Sequence, residues 1–264
     1  MATTLKTSPD PVLTQVEGPI AYLTLNRPEK RNALSEQLME RLTAALREMG
    51  KNPDVQVVVI RAGGSVFSGG HDLNELVGST VTEYRRVFDA CTELMETIQQ
   101  IWQPVIAQVQ GPATAAGCQL VATCDLAVAA ESAWFATPGV KIGLFCSTPM
   151  VALTRAVGRK RAMEMLLTGE RVSASEAVAI GLINKAVPGA QLDGAVRALA
   201  ARIAESSPNI VSLGKESFYR QIDLPQHDAY SYAAEVMTFN AMMADAHEGI
   251  TAFLGKRKPS WPRR

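Results

Sequence analysis

The run Pro104-Val105-Ile106-Ala107-Gln108-Val109 is followed at once by Gln110-Gly111-Pro112-Ala113-Thr114-Ala115-Ala116-Gly117-Cys118-Gln119-Leu120, and no other stretch constrains the fold as much. A short apolar run with β-branched residues reads as a buried strand, and the small apolar positions after it read as the start of a helix. Ala115, Ala116 and Gly117 let another group approach the backbone closely. The unpaired N–H groups of a helix's first turn then point at whatever arrives. Such a place suits developing negative charge. Tight packing of a helix on a sheet selects the same small residues, so a second feature is needed to choose between the two readings.

That feature lies upstream. Val55 to Ala62, with Val57, Val58, Val59 and Ile60 in succession, reads as a fully buried parallel strand. The loop after it, Gly63-Gly64-Ser65-Val66-Phe67-Ser68-Gly69-Gly70-His71-Asp72-Leu73, carries four glycines before the next helical segment. The two glycine-rich turns therefore occupy equivalent places, each after a buried strand and before a helix. Two backbone N–H groups converging from them would form an oxyanion hole, which stabilises an enolate or tetrahedral oxyanion on a carbonyl.

The flanking segments supply a consistent α/β frame. Val12 to Val16 and Ile20 to Leu25 read as a hairpin. After the charged turn Asn26 to Asn32, Ser35 caps a helix whose Leu38, Leu42, Ala45, Leu46 and Met49 keep helical spacing until Gly50 and Pro53. A long helix is expected over roughly Thr82 to Ile101, and strand resumes from Asp125 to Ala129. The ββα sense of the first unit thus recurs. Further on, Ser173-Ala174-Ser175-Glu176 is a capping box and Ile180-Gly181-Leu182 a glycine stop. Gln191 to Glu205, Asn209 to Gln221, a segment from near Asp228, and Glu248 to Leu254 read as a helical tail. Its run Val236-Met237-Thr238-Phe239-Asn240-Ala241-Met242-Met243 reads as core or subunit interface.

Charge and cysteine content narrow the ligand. Lys plus Arg and Asp plus Glu are equal at 26 each, so no long-range field favours nucleic acid or an anionic membrane. Cys91, Cys118, Cys124 and Cys146 have no Cys-x-x-Cys spacing, which points to buried free thiols rather than a metal site or disulfides. Met1 to Pro11 lacks the apolar centre of a leader, and no apolar run approaches bilayer length, so a cytoplasmic protein is expected. The 264 residues suit a core of 1–190 and a helical region of 191–264.

Four segments in order resemble the crotonase superfamily, also called the enoyl-CoA hydratase/isomerase family. They are Asn26-Arg27-Pro28-Glu29-Lys30-Arg31-Asn32-Ala33-Leu34, Phe67-Ser68-Gly69-Gly70-His71-Asp72-Leu73, Gln110 to Leu120 with Cys124-Asp125-Leu126, and Ala252-Phe253-Leu254-Gly255-Lys256-Arg257-Lys258-Pro259. The resemblance runs from about residue 12 to 259. It implies a spiral of ββα turns with a helical C-terminal region that trimerises, often as a dimer of trimers. It also implies a coenzyme A thioester as substrate, with no permanently bound cofactor and no metal.

Carried over by position, the resemblance makes the backbone N–H groups of His71 and Ala116 the two oxyanion donors. Arg27, Lys30, Arg31 and Ala33 would lie near the coenzyme's phosphates and pantetheine arm, Asp72 and Leu73 near the adenine. Phe253 and Lys256 resemble residues that reach the nucleotide, in many members from a neighbouring subunit, although Phe253 also suits the core of the last helix. The His71 imidazole is read either as a loop side chain without a chemical task or as a proton carrier.

Two departures matter. Hydratases of this family hold water and move protons with two glutamates, at positions occupied here by Gln119 and by Gly139 of Thr137-Pro138-Gly139-Val140-Lys141-Ile142-Gly143-Leu144. Gln119 can hydrogen-bond a water but cannot take its proton, and Gly139 has no side chain. Three readings follow. Another group serves as base, with Glu75, Asp89, Glu93, Lys141, Cys146 and Ser147 as candidates. Alternatively the reaction is decarboxylation of a malonyl-type thioester, as Gly70-His71-Asp72 resembles the loop of methylmalonyl-CoA decarboxylases, although Leu144-Phe145-Cys146-Ser147 lacks their tyrosine. In the third, the protein binds acyl-CoA without turning it over.

Overall fold

The computed structural model describes residues 10–261. Most of the segment from Met1 to Pro11, read above for a leader, therefore lies outside the described residues. The chain begins with the expected hairpin, β1 (Val12–Glu17) antiparallel to β2 (Ile20–Leu25), and α1 (Glu36–Gly50) returns it to β3 (Val57–Ala62), which pairs with β2 in parallel. The Ser35 hydroxyl caps α1 by accepting from the Leu38 amide. The long α2 (Val81–Gln100) opens with a reciprocal Thr80–Glu83 capping box and leads to β4 (Val105–Val109).

After β4 come the two-residue β5 (Ala113–Thr114), α3 (Ala116–Thr123) and β6 (Leu126–Ala130). Next are β7 (Trp134–Ala136), α4 (Ser147–Ala156), α5 (Arg159–Thr168), β8 (Val172–Ser173), α6 (Ala174–Ala179) and β9 (Lys185–Val187). The main sheet runs β1-β2-β3-β4-β6-β9 and is parallel from β2 onward; a small second sheet runs β5-β7-β8. Strand β4 is buried along its whole length, as a strand covered on both faces must be.

Helices pack on both faces of that sheet. One cluster joins Leu38, Leu42 and Leu46 of α1 with Leu94 and Ile98 of α2, Phe67, and Leu120 of α3. On the other face Tyr22, Val57, Ile106 and Val128 meet Leu192, Val196 and Ala200 of α7 (Leu192–Ala204). The chain ends in α8 (Pro208–Gln221), α9 (Gln226–Ala241) and α10 (Ala244–Leu254). Helix α8 is fixed to the sheet layer by a buried polar knot. Lys215 Nζ lies 2.7 Å from an Asp125 carboxylate oxygen and donates to the Ile98 and Gln103 carbonyls, and the Tyr219 hydroxyl donates to Asp125.

Helix α9 differs. It buries no side chain, and Met237, Phe239 and Met242 are exposed, which rules out the core reading of the methionine-rich run within one chain. Phe253, read above as a possible core residue, is 82% exposed. The four cysteines are free and buried, as expected.

Candidate active site

The two small-residue turns meet. Their approach begins as a short parallel pairing in which Ser68 faces Ala113, and the Thr114 amide donates to the Ser68 carbonyl at 2.9 Å. The Thr114 hydroxyl then donates to the Gly69 carbonyl. Gly70 has φ +95°, and a Cβ placed there would lie 2.9 Å from Ala115 Cβ and 3.4 Å from the Ala116 amide nitrogen. A residue with a side chain would force the turns apart, so glycine is required both by conformation and by space.

Each turn is anchored from outside. The buried Asn32 side chain donates to the Gly63 and Val66 carbonyls, and the Ser68 hydroxyl donates to the Asn32 carbonyl while accepting from the Gly70 amide. The second turn hangs from the Ala115 amide, which donates to the Ala136 carbonyl at 2.9 Å. Among the described residues, neither the His71 nor the Ala116 amide donates to a backbone carbonyl outside regular elements.

Both residues line one apolar cavity of about 440 Å³. Its wall comes from the first turn and the 3-10 turn after it (Leu73, Leu76), from Phe88 of α2, from Ala115 and Ala116, and from the stretch Pro138 to Pro149. Leu73, Ile142, Leu144 and Phe145 are cavity-lining side chains that stay exposed. No aspartate or glutamate is among the described residues that line the cavity.

The candidate bases divide accordingly. Lys141, Cys146 and Ser147 line the cavity, whereas Glu75, Asp89 and Glu93 do not. Glu93 pairs with Arg47 at 2.8 Å, and Glu75 accepts from the Glu36 amide at 2.9 Å. Lys141 pairs with Glu170, and burial pushes the Cys146 thiol pKa up, so it stays protonated at neutral pH. The Ser147 hydroxyl donates to the Phe145 carbonyl at 3.4 Å. Gln119 is buried, with its amide oxygen accepting from the Cys91 thiol at 3.8 Å, and it is not among the cavity-lining residues.

Gly139 lines the cavity, and the loop beyond it closes over the space a side chain would need. The Leu144 amide donates to the Gly139 carbonyl at 3.0 Å. A Cβ on Gly139 would fall inside contact distance of the Leu144 carbonyl oxygen and 2.8 Å from Cys146 Sγ. The local backbone therefore leaves no room for a side chain at this position.

The expected coenzyme-facing residues are placed unevenly. Arg27 donates to the Ala33 carbonyl and the Ser35 hydroxyl and pairs with Asp72 at 3.2 Å. Asp72 therefore faces its charge within the chain. Burial alone would raise the Asp72 carboxyl, but hydrogen bonds from Asn74 and the Arg27 guanidinium together hold it below its ordinary value. Lys30 and Arg31 are exposed on the neighbouring turn, and Leu73 reaches the cavity. Phe253 and Lys256 lie at the end of α10, outside the cavity wall.

Sequence reasoning named Cys146 and Ser147 but missed Phe88, Ile142, Leu144 and Phe145 as cavity walls. Phe88 stands edge-on to the His71 ring, centroids 5.5 Å apart at 86°. Its helix was legible from periodicity, but which loop the helix faces is a tertiary fact.

A spiral of strands and helices that brings two small-residue turns together at one apolar cavity is the crotonase arrangement. Residues 15–264 match the enoyl-CoA hydratase/isomerase family model, and the chain belongs to that family, as an enzyme acting on acyl-CoA. It is 50% identical over 250 residues to a Danio rerio protein named enoyl-CoA hydratase domain-containing protein 3, mitochondrial, with 94% of this chain and 86% of that one covered. The fold matches the crystal structure of an enoyl-CoA hydratase from Mycobacterium smegmatis at TM-score 0.93 and 46% identity, covering 95% and 98% of the two chains. It matches the human enoyl Coenzyme A hydratase domain-containing protein 3 equally, at TM-score 0.93 and 47% identity over 95% and 100%. No helix among the described residues is long and apolar enough to cross a membrane.

Proposed function

We propose that the cavity holds the acyl end of a coenzyme A thioester with its carbonyl oxygen between the His71 and Ala116 amides. On this reading the protein is a lyase or isomerase that works by stabilising an enolate, not by carboxylate-driven hydration. The observation that carries the proposal is the meeting of the two turns at a cavity wall that has no carboxylate among the described residues. One oxyanion donor is worth about a hundred- to a thousandfold in rate, and each missing acid–base group removes about a hundred- to ten-thousandfold. Retaining the first asset while lacking the second favours chemistry in which enolate formation needs little help from a strong base.

Decarboxylation of a malonyl-type thioester is the variant that fits this balance, since loss of carbon dioxide itself generates the enolate. Lys141 at the cavity wall is the cation that would meet a substrate carboxylate, exchanging its exposed pairing with Glu170 for it. The coenzyme is part of the substrate, not a resident cofactor. The exposed apolar side chains of α9 and α10 support assembly as a trimer or a dimer of trimers.

The deciding measurement is the loss of crotonyl-CoA ultraviolet absorbance with purified protein, alongside carbon dioxide release from malonyl-type thioesters. The expected result is saturable thioester binding with hydration near the blank. Rapid conversion to 3-hydroxybutyryl-CoA overturns the carboxylate argument. Unchanged thioesters after long incubation with every substrate would leave a binding protein instead of an enzyme.

A further inference from the structure

We propose that the acyl group this site takes is an apolar chain of medium length, selected by the large apolar side chains of the cavity wall; this rests on the thioester placement above. Those side chains come from three separate segments: Leu73 and Leu76 from the 3-10 turn, Phe88 from α2, and Ile142, Leu144 and Phe145 from the loop after Gly139. In the folded chain Leu73, Ile142, Leu144 and Phe145 stay between 38% and 63% exposed. Apolar groups left in water around a concave site mark a place where something apolar binds. Ala115, Ala116 and Gly139 contribute little or no side chain to the same wall, so they leave the space between the large groups open.

Little on the wall could recognise a chain with polar groups along it. No aspartate, glutamate or arginine is among the described lining residues. Burial keeps the His71 ring neutral at neutral pH, against a hydrogen bond with the Leu34 backbone that works the other way, and burial keeps the Cys146 thiol protonated. The Ser147 hydroxyl donates to the Phe145 carbonyl. Lys141 is the one charged side chain of the wall, and it pairs with Glu170 where both are exposed. A single cation suits a single carboxylate beside the thioester. In the decarboxylation variant, the apolar chain is then the substituent on the malonyl carbon.

Volume sets the length. The cavity's 440 Å³ equals about fifteen waters at about 30 Å³ each, and a methylene group takes about the room of one water. The thioester group and the end of the pantetheine arm use part of that space, which leaves about six to ten carbons for the chain. A four-carbon acyl group would leave much of the apolar wall facing water. Each further methylene moved from water onto the wall gains about fourfold in affinity when fully buried, and less where the exposed side chains leave it open to solvent.

The test titrates purified protein with acetyl-, butyryl-, hexanoyl-, octanoyl-, decanoyl- and dodecanoyl-CoA by calorimetry. It also reads the carbonyl frequency of bound octanoyl-CoA, 13C-labelled at that carbon, by infrared difference. Affinity is expected to rise about two- to fourfold per methylene from butyryl to octanoyl and to level off near decanoyl, with an increasingly negative heat-capacity change along the rise. Ile142→Ser and Phe145→Ser, at exposed positions where a polar residue is tolerated by the fold, should each weaken octanoyl-CoA by about tenfold and butyryl-CoA by less. Equal affinity for butyryl- and octanoyl-CoA with a shifted carbonyl overturns the proposal and gives the apolar side chains to contact with a second copy of the chain. A rise with length that both serine variants leave unchanged also overturns it, because the chain then binds elsewhere. A steep rise that the variants flatten, with an unshifted carbonyl, upholds the chain in the cavity and shows the thioester placement to be wrong. Failure of every thioester to bind overturns both.

Discussion

The turn before His71 reaches its positive φ through glycine, at +95° for Gly70, whereas the turn before Ala116 holds an alanine at φ 49°, ψ −118°. The first is relaxed in conformation and depends on distant polar anchors, Asn32, Ser68 and the Arg27–Asp72 pair. The second is short of anchors and carries strain, in a region of backbone space that L-residues rarely occupy and that costs about 1–3 kcal/mol. The two turns whose amides the proposed thioester site uses are therefore positioned by different means. One turn is held in place by hydrogen bonds made across the fold, the other by the helix and strand between which it is trapped. This contrast predicts that the first turn tolerates no added bulk but loses little from any single anchor, while the second gains stability when its strain is released.

The largest effect is expected at the first turn. Gly70→Ala places a Cβ at positive φ and 2.9 Å from Ala115 Cβ, and 3.1 Å from the Thr114 carbonyl oxygen. Strain and overpacking together should cost about 2–4 kcal/mol in urea or thermal unfolding. Separation of the turns should also lower kcat by about a hundredfold or more, since the two amides no longer converge. If the variant matched the wild type in both stability and kcat, close contact between the turns would not be what positions the amides.

An intermediate effect is expected at the anchor. The carboxyl of Asp72 is held below its ordinary pKa, so its contribution is fully present above about pH 4 and is lost as pH falls through the lower folded value. Asp72→Asn should cost about 1–2 kcal/mol at pH 7 and nothing extra in strong acid, so the two unfolding curves converge as pH drops. A stability gap that persisted unchanged at low pH would assign the role to the shape of the side chain and not to its charge. Turnover should change less than for Gly70→Ala, because Asn32 and Ser68 still hold the turn.

How much of this was legible in the sequence follows from the same contrast. The hairpin, Ser35, the capping box at Ser173 and the two strand-to-helix turns are local facts, and residue order displays them. That Gln119 and Gly139 lack carboxylates is equally plain from the residues. The reason at Gly139 is not, because the Leu144 carbonyl that occupies the space belongs to a loop whose path is set by packing. The pairing of Arg27 with Asp72 was not legible either, because the two lie far apart in sequence and meet only in the fold. Helices α4 and α5 escaped notice since each buries few residues and leaves Val151, Met163 and Leu167 exposed, which blurs the apolar periodicity on which such an assignment rests. The apolar surface of α9 obeys the same rule, its pattern pointing outward from the chain's own core.

The smallest effect, and the one with opposite sign, is expected at the second turn. Ala115→Gly removes the penalty for φ 49°, ψ −118° but adds backbone entropy to the unfolded chain, about 0.5–1 kcal/mol against folding. The released strain is larger, so the net is a gain of about 0.5–1 kcal/mol, readable as a rise in the urea midpoint at unchanged slope. The methyl group it deletes also lines the cavity and stands closest to where a Gly70 side chain would be. Glycine at 115 should therefore partly rescue Gly70→Ala, making the double variant more stable than the two single effects add up to. Strict additivity would mean that the turns do not feel each other through this contact. A loss of stability in Ala115→Gly alone would mean that the alanine's methyl packing outweighs its strained backbone, and that the second turn, like the first, is held by contacts from outside it.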